Sequence, residues 1–129
     1  MRLEAYTKLC FLESHNRMAI ADGRNFLDSI KALIGCGNYK ISDHALNALL
    51  EDDLERTDVD SLDERTEVIE FYPKFAKGPA ILLLQRTADG RVVHCVWGIP
   101  KGSNEPAVLI TAYIPDPSRW DAQLKERRS

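Results

Sequence analysis

Two histidines, an arginine and two hydroxyl side chains have groups suited to acid–base chemistry on a phosphate. His94 stands in the apolar run "RVVHCVW", and His44 follows a serine and an aspartate in "SDHALNALL". The stretch "VLITAY" contributes Thr111 and Tyr113, and Arg86 ends the run "PAILLLQR". Histidine exchanges protons near neutral pH, and a guanidinium donates paired hydrogen bonds to phosphate. We therefore predict these five residues as candidate catalytic residues.

Cleavage of RNA by its own 2′-hydroxyl needs a base for that hydroxyl, an acid for the leaving oxygen and fixed cationic donors. His94 suits either proton transfer, and Arg86 suits the added negative charge. His44 lies at the start of a predicted helix, where the helix dipole favours neutral imidazole and hence the role of base. Each has a structural alternative: a buried histidine bonded to the backbone, a solvent-exposed arginine, or a packing tyrosine.

A predicted hairpin decides which of these side chains share a sheet face. If "ADG" is a three-residue loop with Gly90 in the left-handed conformation, Thr87 pairs with Arg91 and Leu84 lies opposite His94. A loop longer or shorter by one residue would separate Arg86 from His94.

The next strand supplies the remaining hydroxyl groups. Strict alternation predicts that Leu109, Thr111 and Tyr113 point to one face, opposite to Val108, Ile110 and Ala112. A single face that holds the arginine, the central histidine, the threonine and the tyrosine is therefore possible.

Two helical patterns precede these strands. In "DGRNFLDSIKALIGCG" the apolar residues recur at helical spacing, and two glycines mark its end. Ser42 is the natural N-cap of the next helix, which we expect to bury Leu46, Leu49 and Leu50. "TDVDSLDER" predicts a short third helix, and "PSRWDAQLKERRS" a last helical turn capped by Ser118.

The strands follow in one block: "TEVIEFY", "PAILLLQR", "RVVHCVW" and "PAVLITAYI". Helices first and consecutive strands afterwards predict an α+β fold, with N-terminal helices packed on an antiparallel sheet of three to four strands. We place a single domain at residues 18–129, with residues 1–17 as an N-terminal extension.

Other chemistries fit the sequence poorly. It contains no GxGxxG, GxxxxGK[ST] or HExxH motif. Cys10, Cys36 and Cys95 are odd in number and lack CxxC spacing, so we predict no disulfide framework, no metal and no cofactor. Cys95 and His94 are neighbours in a strand and point to opposite faces, which excludes a catalytic dyad.

The charge is distributed unevenly along the chain. Residues 1–70 carry 8 basic and 15 acidic side chains, whereas residues 71–129 carry 9 basic and 5 acidic ones. These two regions are either ordinary solvated faces or patches that meet a charged partner. The sequence shows no apolar run of membrane-spanning length and no signal peptide, so we expect a cytoplasmic protein that does not bind membranes.

The order of motifs "KISDHALNALL", "TEVIEFYP", "GPAILLLQRTADGRVVHCVWGI" and "AVLITAYIPDPSRWDAQLKERR" resembles a family of short bacterial proteins known only as a domain of unknown function. The likeness covers residues 40–128. That family more distantly resembles the RelE-like toxins of toxin–antitoxin pairs, particularly the BrnT and MqsR groups. The resemblance implies a RelE-toxin-like fold and a small ribonuclease that cleaves messenger RNA and is neutralised by a cognate antitoxin.

The resemblance also implies that His44, His94, Thr111, Tyr113 and the final basic pair are the positions to test. The residues that we predict to contact RNA are Lys40, Arg91, Arg119, Arg127 and Arg128. The sequence pI of about 5.6 argues against RNA binding, because it is low for a protein that binds RNA phosphates. The alternative hypothesis is therefore a non-catalytic protein-binding domain whose histidines are structural.

Overall fold

The computed structural model describes residues 19–121 and 123–127 of the 129-residue chain. The predicted extension, residues 1–17, lies outside the described residues. The elements in chain order are α1 (Ala19–Gly35), β1 (Tyr39–Ile41), α2 (Asp43–Glu51), α3 (Thr57–Asp60), β2 (Glu67–Tyr72), β3 (Ala80–Arg86), β4 (Val92–Gly98) and β5 (Ala107–Tyr113).

The fold is α+β, as the sequence predicts, but the described sheet has five strands and is mixed. Its order is β1-β5-β4-β3-β2, with β1 parallel to β5 and the other pairs antiparallel. The predicted count of three to four antiparallel strands is therefore wrong by one edge strand. That strand is only three residues long, and it pairs with a strand far away in sequence. No local sequence pattern therefore predicts it.

The β3–β4 hairpin has the predicted register. Leu84 pairs with His94, the Thr87 amide donates to the Arg91 carbonyl (2.9 Å), and Gly90 has a φ of 92°. A left-handed residue closes this three-residue loop at no steric cost when it is glycine.

The predicted alternation in β5 is wrong because the strand contains a bulge. Thr111 pairs with Val96, but Leu109 already pairs with Trp97, so one residue of β5 is left over between them. A bulge turns the side chains that follow it to the other face. Leu109 therefore lies with Ala112 in the core under the helices, whereas Thr111 and Tyr113 lie on the opposite face with Ile110. Thr111 and Tyr113 thus share a face as predicted, but Leu109 does not share it.

The main core lies between the helices and one face of the sheet, where Leu27, Ile30, Leu83 and Trp97 are buried. Cys95 lies in this core, on the face opposite to His94, as predicted. The helix α2 buries a different set of residues from the predicted one. Its buried residues are Ala45, Ala48 and Leu49, whereas Leu46 and Leu50 are exposed.

The second face of the sheet is partly covered by residues 114–121 and 123–127, which we call the C-terminal segment. No helical turn forms among its described residues, contrary to prediction. Instead, Trp120 bridges to Arg127, and the Asp121 carboxylate accepts hydrogen bonds from the backbone amides of Gln123 (3.1 Å) and Lys125 (3.0 Å). Leu124 has a φ of 62°. An aspartate that bonds nearby amides competes with helix formation.

Candidate functional site

An open groove of about 830 Å³ lies on the second face of the sheet, beside the part covered by the C-terminal segment. Three residues predicted from the sequence line it together: Lys40, His44 and Thr111. Lys40 comes from the edge strand β1, and His44 from the first turn of α2. Thr111 lies in β5, next to the bulge. The groove therefore depends on the parallel β1–β5 pair that local sequence patterns do not reveal.

Ser42 fixes the position of His44. Its hydroxyl accepts a hydrogen bond from the Ala45 amide (3.0 Å) and donates one to the Ile110 carbonyl (3.2 Å). The Ser42 amide also donates to the Leu109 carbonyl (3.1 Å). An N-cap that is tied to the neighbouring strand holds the first helical turn, and with it His44, against the groove wall.

The floor of the groove is apolar and stays open because Gly98 has no side chain. Val108, Ile110 and Pro79 contribute the surrounding apolar surface. A Cβ atom at Gly98 would lie 2.9 Å from Ile110 Cδ1, closer than carbon atoms can pack without a shift. The floor thus offers an apolar surface that a flat, uncharged group can contact.

Two lysines and one aspartate set the charge of the rim. Lys40 and Lys77 are exposed and line the groove, together with Asp43 and the exposed imidazole of His44. Two ammonium groups and a proton-transfer group around an apolar floor are suited to a phosphate ester that carries a ring system.

Lys77 was not among the site residues predicted from the sequence. The "KGP" sequence at residues 77–79 indicates a turn, but the position of that turn is set by contacts with the end of β4. Gly78 has a φ of 124°, and a Cβ atom there would lie 2.2 Å from the Ile99 carbonyl oxygen. The Lys101 amide donates to the Lys77 carbonyl (2.9 Å). Only this long-range packing places Lys77 at the groove.

His94 lies outside the groove, under the C-terminal segment, with an exposed fraction of 0%. Its ring is perpendicular to that of Trp120, with 4.5 Å between centroids. Nε2 is 2.7 Å from the Leu124 carbonyl oxygen, and Nδ1 is 3.0 Å from the Tyr113 hydroxyl. A carbonyl oxygen only accepts, so Nε2 carries the proton and Nδ1 accepts from the tyrosine.

Burial lowers the pKa of His94 to about 4, because charging the imidazole there costs hydration. The Leu124 carbonyl and the Glu70 carboxylate oppose this effect, and Arg127 adds to it. His94 is thus a neutral group that joins β4 to the C-terminal segment. This environment corresponds to the structural alternative for His94.

Glu70 and Arg127 anchor the C-terminal segment at its other end. Two guanidinium nitrogens of Arg127 donate to the Glu70 carboxylate (2.8 and 2.6 Å), and the Tyr72 hydroxyl donates to the same carboxylate. Arg127 also lies over the Trp120 ring, 4.9 Å from its centroid. Arg127, which we predicted to contact RNA, therefore holds the segment that encloses His94.

The remaining predicted residues lie apart from the groove. Arg86 is exposed at the far end of β3, roughly 20 Å from the groove at ~3.3 Å per residue. Arg91 pairs with Asp89 (3.1 Å) and approaches Asp58 (3.6 Å), and Arg119 lies exposed in a turn. Tyr113 is buried beside His94, and Arg128 lies outside the described residues.

No group of three or more metal-ligating side chains (His, Cys, Asp, Glu) converges within the described part of the chain. Among the described helices, none is both long and apolar enough to cross a membrane.

Comparison with known protein families shows a match over the central part of the chain. The family model described as "Domain of unknown function (DUF4258)" matches residues 41–114, which is more than half of the chain. The matched range begins at the end of β1 and stops just after β5, so it contains His44, His94 and most of the groove. No curated protein and no solved structure matches the chain.

Proposed function

Since the chain belongs to the DUF4258 family, we propose a function from the groove itself. Membership of this family confirms the predicted domain of unknown function. In the proposed function, the protein binds RNA in the groove and cleaves it as an endoribonuclease. The observation that carries this proposal is the convergence of an exposed histidine and two lysines on one apolar-floored groove. A nucleotide combines the two chemistries that this groove offers, a phosphate for the lysines and a flat base for the floor.

We assign the proton abstraction to His44. Of the two histidines in the described part of the chain, His44 is exposed and His94 is enclosed. In the proposed reaction, the His44 imidazole takes the proton of a 2′-hydroxyl, and the resulting oxygen attacks the adjacent phosphorus. The bond to the 5′-oxygen breaks and leaves a 2′,3′-cyclic phosphate. A water molecule protonates the leaving oxygen, and the hydroxide so formed takes the proton from the His44 imidazolium, which restores the neutral base.

Lys40 and Lys77 stabilise the phosphate. The charge on the non-bridging oxygens grows in the transition state, and fixed ammonium groups at the rim lower its energy. Thr111 is buried at the groove wall, next to the bulge of β5. His94 and Tyr113 contribute indirectly, because they position β5 beneath the C-terminal segment.

The test is cleavage of a labelled single-stranded RNA oligonucleotide by wild type, His44→Ala and Asn47→Ala. Asn47 is exposed on the same helix and does not line the groove, so its variant is the matched control. We expect His44→Ala to lose a factor of roughly 10² to 10⁴ in rate and Asn47→Ala to match wild type. An oligonucleotide that lacks 2′-hydroxyl groups should bind without being cut.

Equal cleavage by wild type and His44→Ala would refute the assignment of the base. Absence of both binding and cleavage in folded wild type would refute the function. The proposal of a toxin with a cognate antitoxin predicts growth arrest by induced wild type and none by His44→Ala at equal protein level.

A further inference from the structure

The helix α2 has a second exposed surface besides its groove side. Leu46 and Leu50 are 53% and 72% exposed, and Ile114 is 36% exposed; they are the exposed large apolar side chains among the described residues. Leu46 and Leu50 are one turn apart and face the same side of α2. The Ile114 amide donates to the Asp52 carboxylate (2.8 Å), which holds Ile114 near the end of α2. We call these three residues the α2 patch.

Packing within the fold does not account for the exposure of Leu46 and Leu50. The helix already buries Ala45, Ala48 and Leu49 against the sheet, and Leu54 closes the core after its last turn. Single exposed apolar residues are common on protein surfaces, whereas several close together indicate an interaction surface.

The charge around the α2 patch identifies the class of partner. Residues 51–55, at the end of α2, contain four acidic side chains and no lysine or arginine: Glu51, Asp52, Asp53 and Glu55. The neighbouring Arg56 and Arg91 form ion pairs with other carboxylates, those of Asp58, Asp60 and Asp89. Such a border repels nucleic acid phosphates and anionic lipid headgroups. It favours a polypeptide that carries lysine or arginine beside apolar residues.

We propose that the α2 patch binds a basic amphipathic helix of a partner protein. The two leucines, at i and i+4, form a ridge that packs into the apolar face of such a helix, and its basic flanks meet the acidic border. This inference goes beyond the proposed ribonuclease function and does not depend on it, because the patch and the groove use different sides of α2.

The test is the binding of a synthetic helical peptide of about 20 residues, with leucines along one face and lysines elsewhere, followed by fluorescence anisotropy. A second peptide has the same composition with the leucines spread around the helix, and a third has glutamate in place of lysine. We expect only the first peptide to bind, and its affinity to fall as the salt concentration rises.

Variants of the α2 patch distinguish specific binding at the patch from non-specific electrostatic attraction of a basic peptide. Leu46→Ala combined with Leu50→Ala should weaken binding roughly tenfold or more, because apolar anchors at the centre of an interface dominate its affinity. Glu51→Lys should also weaken it, whereas Glu64→Lys, in the loop before β2, should not. All four positions are exposed, so the variants should keep the wild-type fold.

Three results would overturn the proposal: equal binding of the rearranged peptide, unchanged binding by the double leucine variant, or self-association of the wild type through the patch without peptide binding. Sedimentation of wild type and of the double variant distinguishes the last case. None of these readouts involves RNA, so they are independent of the outcome of the cleavage assay.

Discussion

The C-terminal segment covers His94 and excludes water from it, and this burial keeps the imidazole neutral. Its neighbours Tyr113 and Leu124 bond both ring nitrogens, so no nitrogen is left for a substrate. His44 is the same residue type in an exposed helical turn. The difference between the two arises from contacts made 19 and 30 residues beyond His94, which a reading of local pattern does not supply.

The stability of the fold should depend on pH through His94. Its native pKa of about 4 lies below the usual 6.5, so the unfolded chain binds the proton more readily. The free energy of unfolding should therefore fall as the pH drops from about 6.5 to about 4, by on the order of 3 kcal/mol. Urea unfolding at several pH values measures this.

The variant His94→Gln isolates that contribution. Glutamine can still donate to the Leu124 carbonyl but does not titrate, so its stability should change less over the same pH interval. Parallel pH profiles for wild type and His94→Gln would contradict the assignment.

At the scale of single elements, α2 depends on Ser42 for both its cap and its connection to β5. Ser42→Ala removes the bonds to the Ala45 amide and the Ile110 carbonyl. We expect a loss of about 1–2 kcal/mol in the free energy of unfolding, measured by urea titration. Ser29→Ala is the control, because Ser29 is exposed on α1 and makes only a long bond (3.4 Å) within its own helix. Equal losses for the two variants would mean that the cap and tie contribute little.

The sequence predicts those elements whose signals are local. The cap at Ser42, the glycine hairpin at Gly90 and the four longer strands all follow from neighbouring residues. The predicted burial of Leu46 and Leu50 was wrong because α2 is covered on one narrow side only. Helical periodicity alone does not show how wide that side is.

Most of the missing parts of the prediction depend on contacts between residues distant in sequence. The strand β1 exists because Tyr39 pairs with Ala107, and Lys77 reaches the groove because its loop packs on residues 99–101. The bulge beside Ile110 and the irregular turn at Asp121 likewise break the simple repeats that a strand or helix pattern assumes. The sequence therefore predicted several residues of the groove, but not that they lie together in one groove.

For the whole molecule, the acidic net charge and the proposed RNA binding are compatible because few lysines take part. Two phosphate contacts, through Lys40 and Lys77, predict a slope of about −1.4 for the logarithm of affinity against that of salt concentration. Titration of labelled RNA at several salt concentrations measures it. Lys77→Ala should halve the slope, and Arg24→Ala, on the exposed side of α1, should leave it unchanged. A much steeper slope in wild type would indicate that binding occurs elsewhere.

The position of β1 beside β5 also has a consequence for synthesis of the chain. The ribosome releases β1 long before β5, and the parallel pair cannot form until both strands are available. Lys40 and Thr111, which both line the groove, therefore come together only when most of the polypeptide has been made. Under the proposed function, a nascent chain that is still attached beside its own messenger has no assembled groove with which to bind or cut that messenger.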